Sequence, residues 1–234
     1  MWAEPPKDEA VGAGVAATGA DAAGAEAAAG TAEAGAAEAP SPSSTNTTEP
    51  CLKIPALDAH AVQFIGLSPF MVLASSDAQG QMDASPRGGD AGFVKVLDAQ
   101  TLLVPDAPGN NRLDTLENII ATGRLGTLFM VPGFDETLRV NGSAVLSTDP
   151  ADLALCADAR RTPALVIRLT VESVYLHCAK AFMRSGLWDA ARHTDRAQLP
   201  SMGEMMRDQI RSFRGEEIEV EAQADMLARY QQSL

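Results

Sequence analysis

The sequence predicts a mainly β domain with peripheral helices, an α+β chain arranged as a small antiparallel barrel behind an acidic tail. Three observations carry this. Short apolar runs alternate with turn residues, as at Asp77-Ala78-Gln79-Gly80, Asp98-Ala99-Gln100 and Pro132-Gly133-Phe134-Asp135-Glu136, which reads as repeated hairpins. A parallel sheet needs a covering helix after each strand, and that pattern is missing, whereas a closed antiparallel barrel removes exposed strand edges. The first fifty residues differ in composition from everything after them.

Residues 1–50 are mostly Ala, Gly, Glu, Thr, Ser and Pro, with Trp2 as the one aromatic. Eight carboxylates face Lys7 alone, so this stretch carries seven of the thirteen net negative charges of the 234-residue chain. Too few large apolar side chains are present to offset the entropy of ordering it. Alanine favours helices, but Gly12, Gly14, Gly19, Gly24, Gly30 and Gly35 interrupt the run. The expectation is a disordered acidic Ala/Gly-rich tail over 1–50 and a folded domain over 51–234. The opening Met1-Trp2-Ala3-Glu4 lacks the basic start of a signal peptide, and no apolar run reaches bilayer-spanning length. A soluble, cytoplasmic protein with no membrane partner is expected. Cys51, Cys156 and Cys178 are odd in number and form no CxxC pair, which suggests reduced thiols and no metal site. The acidic balance argues against nucleic acid, whose phosphates need clustered Lys and Arg.

Along the folded part, Asp58 is placed to cap a short helix to about Ile65. Residues 70–75 and 81–85 read as one hairpin, 93–97 and 101–104 as a second. Residues 112–122 repeat apolar side chains at helical spacing and meet Gly123, a natural C-cap. Strands at 125–131 and 137–147 follow. Thr148-Asp149-Pro150 opens another helix with a cap and an early proline. Residues 164–176 alternate as a long last strand. Helices are expected at 182–191, 202–213 and 220–230.

Four polar clusters interrupt the apolar strands. Ser85-Pro86-Arg87-Gly88-Gly89 reads as a wide turn, with glycines that admit a ligand and an arginine able to fork onto phosphate or carboxylate. Pro108-Gly109-Asn110-Asn111-Arg112-Leu113-Asp114-Thr115 sits at a helix start, where free backbone N–H groups and Arg112 suit an anion; Asn111 or Asp114 also suits a cap. Leu138-Arg139-Val140-Asn141-Gly142 places polar residues in a strand, and Gly142 signals a bulge or a close ligand. His177-Cys178-Ala179-Lys180 ends the last strand; Lys180 is a cation suited to an electron-rich ring.

Together these clusters resemble the pyridoxamine 5′-phosphate oxidase-like FMN-binding proteins, and more narrowly a bacterial subgroup of them. The similar stretch runs over roughly 55–215, through Ala84-Ser85-Pro86-Arg87-Gly88, Leu102-Leu103-Val104-Pro105-Asp106, Asn110-Asn111-Arg112-Leu113-Asp114-Thr115, Leu138-Arg139-Val140-Asn141-Gly142 and His177-Cys178-Ala179-Lys180-Ala181. The resemblance implies a six-stranded antiparallel split β-barrel, a homodimer, and FMN at the subunit interface. It implies that Arg112, Asn110 and Asn111, with Thr115 beside them, hold the FMN phosphate. Ser85 and Arg87 would lie along the ring and ribityl chain, Arg139 nearby, Lys180 at the pyrimidine edge, and Arg184 and Trp188 across the dimer. The activity implied is an FMN-dependent oxidoreductase on a small-molecule substrate; the alternative is a non-catalytic flavin- or tetrapyrrole-binding carrier or sensor. True pyridoxamine-phosphate oxidases end in an Arg-Leu-x-Pro segment, whereas this chain ends Arg229-Tyr230-Gln231-Gln232-Ser233-Leu234, which points away from that substrate.

Overall fold

The computed structural model describes residues 52–233, apart from 108, 110, 111 and 160. The expected tail over 1–50 and the candidate site residues Asn110 and Asn111 therefore lie outside the described residues.

Helix α1 (Ala59–Leu67) starts where expected, because the Asp58 side chain accepts a hydrogen bond from the Ala61 N–H. Seven strands follow in one antiparallel sheet: β1 (Phe70–Ser76), β2 (Met82–Gly88), β3 (Lys95–Asp98), β4 (Thr101–Pro105), β5 (Arg124–Met130), β6 (Thr137–Ser147) and β7 (Val166–His177). The fold is the mixed α+β split barrel expected, with seven strands rather than six. The order is β2-β1-β5-β6-β7-β4-β3, so the two N-terminal hairpins lie at opposite edges. Helix α2 (Asp114–Thr122) links β4 to β5 and packs on β1, β2, β5 and β6. Helix α3 (Pro150–Leu155) connects β6 and β7, and its start is capped by Asp149, whose side chain accepts from the Ala151 N–H.

The inner face supplies one core. Ile65, Met71, Leu73, Leu102, Phe129 and Val140 are among its fully buried members. Alternation fixes this: along β1 the inward Met71, Leu73 and Ser75 are buried and their neighbours less so.

Three local expectations are corrected. Residues 86–88 are strand rather than turn, since β2 runs past Ser85 to Gly88 and pairs Arg87 with Met71. Pro86 is tolerated because β2 is an edge strand with one unpaired side. The helix expected from 112 starts at Asp114; its N-cap is Leu113, without a side-chain cap bond, so Asp114 is not the cap. The helix expected over 182–191 is instead α4 (Lys180–Ser185), stopped by Gly186 in the left-handed conformation (φ 59°). Gly123, by contrast, ends α2 as expected, at φ 64°. Helices α5 (Met202–Arg214) and α6 (Gln223–Ser233) complete the chain, α5 behind a Ser201–Glu204 capping box. No helix among the described residues is long and apolar enough to cross a membrane.

Candidate functional site

The site is built on β2. A strand turns alternate residues to one face, and Asp83, Ser85 and Arg87 occupy the more buried one. Two clefts open along this strand, and Pro86 lines both.

The first cleft, about 390 Å³, lies between β2 and the start of α2. Its walls are Asp83, Ala84, Ser85, Pro86, Arg112, Asp114 and Thr115. Buried Thr115 donates its hydroxyl to Asp83 (2.8 Å), and one turn later Asn118 donates to Ser75 (3.0 Å). These bonds hold the first turns of α2 against the β1–β2 hairpin. Leu113, at the N-cap of α2, has no side chain that can accept from the helix's first N–H groups, an arrangement that suits an anion. Arg112 is exposed, with 84 % of its side chain accessible, and it pairs through Nε with Asp114 (2.7 Å). That contact raises the Arg112 pKa, first by the hydrogen bond and then by the charge of Asp114. Ser85, Arg112 and Thr115, separated by up to thirty positions in the chain, line one cleft.

The second cleft, about 360 Å³, lies where the two edges of the sheet approach each other. It is lined by Pro86 to Gly88 of β2, Lys95 of β3, the end of β4, and the segment carrying Cys156 and Arg161. Arg87 is here. Its guanidinium Nη1 bonds Asp106 (2.8 Å), just past β4, and this pair bridges the seam. Burial pushes the Cys156 thiol pKa up.

Arg139, Lys180, Arg184 and Trp188 line neither cleft. Arg139 projects from β6 beside Tyr175 of β7, its guanidinium 5.8 Å from the ring centroid, with the Lys53 ammonium 5.1 Å from the same ring. Arg139 and then Asn141 hold the Tyr175 hydroxyl below its ordinary pKa. Lys180 and Arg184 lie exposed on α4. Trp188 stacks on Phe182 and donates its indole N–H to the Phe134 carbonyl (2.8 Å), which ties this segment to the β5–β6 turn of its own chain. Gly142 marks a bulge against β7: a Cβ there would strike the Thr170 carbonyl oxygen, so the glycine serves a close backbone rather than a ligand.

Sequence reasoning missed Asp83 and Asp106. Asp83 shares an alternating face with Ser85 and Arg87, a signal visible once 82–88 is read as strand. Asp106 carries no local signal, because its partner lies across the sheet seam.

Residues 57–178, just over half of the chain, match the family model described as pyridoxamine 5′-phosphate oxidase. No curated protein matches. Similar solved structures include HupZ of Group A Streptococcus, with 18% identity and a TM-score of 0.42 over 50% of this chain and 91% of that one. A candidate pyridoxamine 5′-phosphate oxidase of Lactobacillus delbrueckii gives 23%, 0.42, 53% and 97% in the same order. An FAD-binding protein of Mycobacterium smegmatis gives 15%, 0.38, 53% and 97%.

Proposed function

The chain belongs to the pyridoxamine 5′-phosphate oxidase family, and from that premise we propose that it is an FMN-dependent oxidoreductase working as a homodimer on a small molecule. The observation that carries the reading is the first cleft. A helix start with leucine at its N-cap, an exposed arginine and Ser85 meet there, and such a set suits a phosphate monoester.

The residues fit the cofactor in the following roles. Arg112 and the backbone N–H groups at the α2 start hold the phosphate, and the Ser85 hydroxyl bonds the polar chain next to it. Thr115 keeps Asp83 engaged, which limits the repulsion that carboxylate exerts on an incoming anion. Asp114 competes with the phosphate for Arg112 and so tempers affinity. When bound, FMN supplies hydride chemistry, and the protein contributes position and charge. Met82 and Leu113, next in the chain to the lining residues Asp83 and Asp114, are exposed, which supports a second copy covering this side of the sheet.

The test is an absorbance spectrum of the purified protein, FMN titration of the flavin-free form, and anaerobic mixing with nicotinamide cofactors. A flavin spectrum that bleaches on mixing supports the proposal. Failure to bind FMN refutes it, and a bound flavin that no donor reduces favours the carrier instead.

A further inference from the structure

Two charged residues among those described are buried, and they differ in one respect. Asp152 has both oxygens satisfied, by Ser147 (2.8 Å) and by Arg168 (2.9 Å). Arg87, with 5 % of its side chain accessible, spends Nη1 on Asp106, while its Nε and Nη2 are buried with no partner. Among the described residues these are the only buried side-chain nitrogens or oxygens left so. Leaving charged donors buried and unpaired is costly, and native structures rarely tolerate it. Nε and Nη2 form the edge of a guanidinium that grips two oxygens side by side. Arg87 lines the second cleft, whose volume falls within the range of small-molecule sites.

We propose that the seam cleft is an oxyanion subsite, in which the Nε/Nη2 edge of Arg87 takes the carboxylate or phosphate of a small organic molecule, with Lys95 and Arg161 at its rim. As a subsite for the flavin's substrate it rests on the function proposed above; as an anion site it stands independently. Asp106 has a double role, since it holds the guanidinium in place and consumes only the opposite edge. Lys95 is steadied by its bond to the Gly92 carbonyl (3.0 Å). Phe93 and Cys156 give the cleft apolar surface, and Gly89 lets Phe93 pack there, because a Cβ at Gly89 would lie 2.8 Å from that of Phe93. Asp90, Asp106 and Asp158 also line the cleft and balance its three cations. Attraction at a distance is therefore weak, and recognition depends on the fork. This assigns Arg87 to the flavin's reaction partner rather than to the flavin.

The experiment titrates benzoate and phenyl phosphate, which share a ring and differ in the anion, into the full chain by calorimetry. It is run on the FMN-loaded protein and on flavin-free Arg112→Ala protein, where the first cleft has lost its cation. Saturable binding of either probe is expected, and the preferred probe identifies the anion. Arg87→Lys keeps a charge opposite Asp106 but loses the fork, and should weaken the probe about tenfold or more. Its FMN affinity should change by less than about threefold. Arg161→Met, at the rim, should weaken the probe by a smaller factor. The proposal is overturned if neither probe binds in either protein, if Arg87→Lys binds as tightly as the parent, or if FMN and probe are lost in parallel. Probe binding in a protein that takes up no FMN would sink the flavin function and leave the anion site standing.

Discussion

Replacing Arg112 with alanine separates a phosphate contact from general damage to the α2 start. The side chain stands largely in solvent and its ion-pair partner among the described residues is Asp114, so its removal exposes no core and uncovers no buried charge. An exposed pair of this kind contributes little to folding. Thr115 and Asn118 keep their bonds to Asp83 and Ser75 and continue to hold the helix. The expected effect is thus confined to the ligand. Loss of one or two charge-assisted bonds to phosphate weakens FMN about tenfold or considerably more. Riboflavin lacks the phosphate, and its affinity should hardly move. The converse variant, Asp114→Asn, frees Arg112 and removes a like charge, and should tighten FMN by roughly two- to fivefold. Fluorescence quenching of FMN and riboflavin by the flavin-free proteins reads all of these. Equal losses of both flavins in Arg112→Ala, or an unchanged FMN affinity, would refute the assignment of the phosphate to this cleft.

Three further outcomes follow from the geometry. Gly142→Ala forces a Cβ against the Thr170 carbonyl in the β6–β7 pairing, and should cost about 3 kcal/mol by urea denaturation, the upper end for overpacking because the obstacle is backbone. Asp106→Ala leaves Arg87 buried without its counter-charge and should cost about 3 kcal/mol in the same assay, at the low end for a broken buried pair because Asp106 keeps 27 % of its side chain accessible. Only Tyr175 and Tyr230 absorb as phenolates, so in a Tyr230→Phe background the alkaline absorbance change reports Tyr175 alone. It should titrate below the usual tyrosine range, and Arg139→Gln should raise it. Because the folded pKa is depressed, the stabilisation is fully present above the unfolded value near 10 and is lost as pH falls through the folded one. Relative to Tyr175→Phe, the parent should therefore gain stability only on the alkaline side; a gain at neutral pH would contradict the assigned contacts.

The features legible in the sequence are those whose cause is local. Asp58 and Asp149 cap helices through bonds to N–H groups two or three residues away, and Gly123 ends α2 through its own φ. The alternation in β6 and β7 needs only the period of a strand. Residues 86–88 depart from the local reading for the opposite reason. Proline and glycine favour a turn by every local rule, and only the position of β2 at the sheet edge, a property of the whole topology, makes a proline harmless there. Asp106 shows the same limit. Its pairing with Arg87 depends on how the two sheet edges meet, and nothing within a few residues of either records it.

The edge position of β2 also explains why the two clefts sit together. An interior strand spends both sides of its backbone on neighbours, and its faces on the core and on solvent. Strand β2 pairs with β1 alone, so its free side opens onto other segments: the α2 start near Ser85, and the sheet seam near Arg87. Pro86, between them, has no N–H to offer a further strand, so this edge resists extension by another strand and stays open to ligands. Two cations from different parts of the chain, Arg112 and Arg87, then line two clefts with Pro86 as the shared wall. The distinction between them is in their burial. Arg112 is exposed, whereas Arg87 is buried and held by Asp106. An exposed cation suits a cofactor's flexible phosphate arm, and a held fork suits the orientation of a reacting molecule, where small displacements cost rate. The order of the two sites along β2 thus follows from one strand's place at the edge of the sheet.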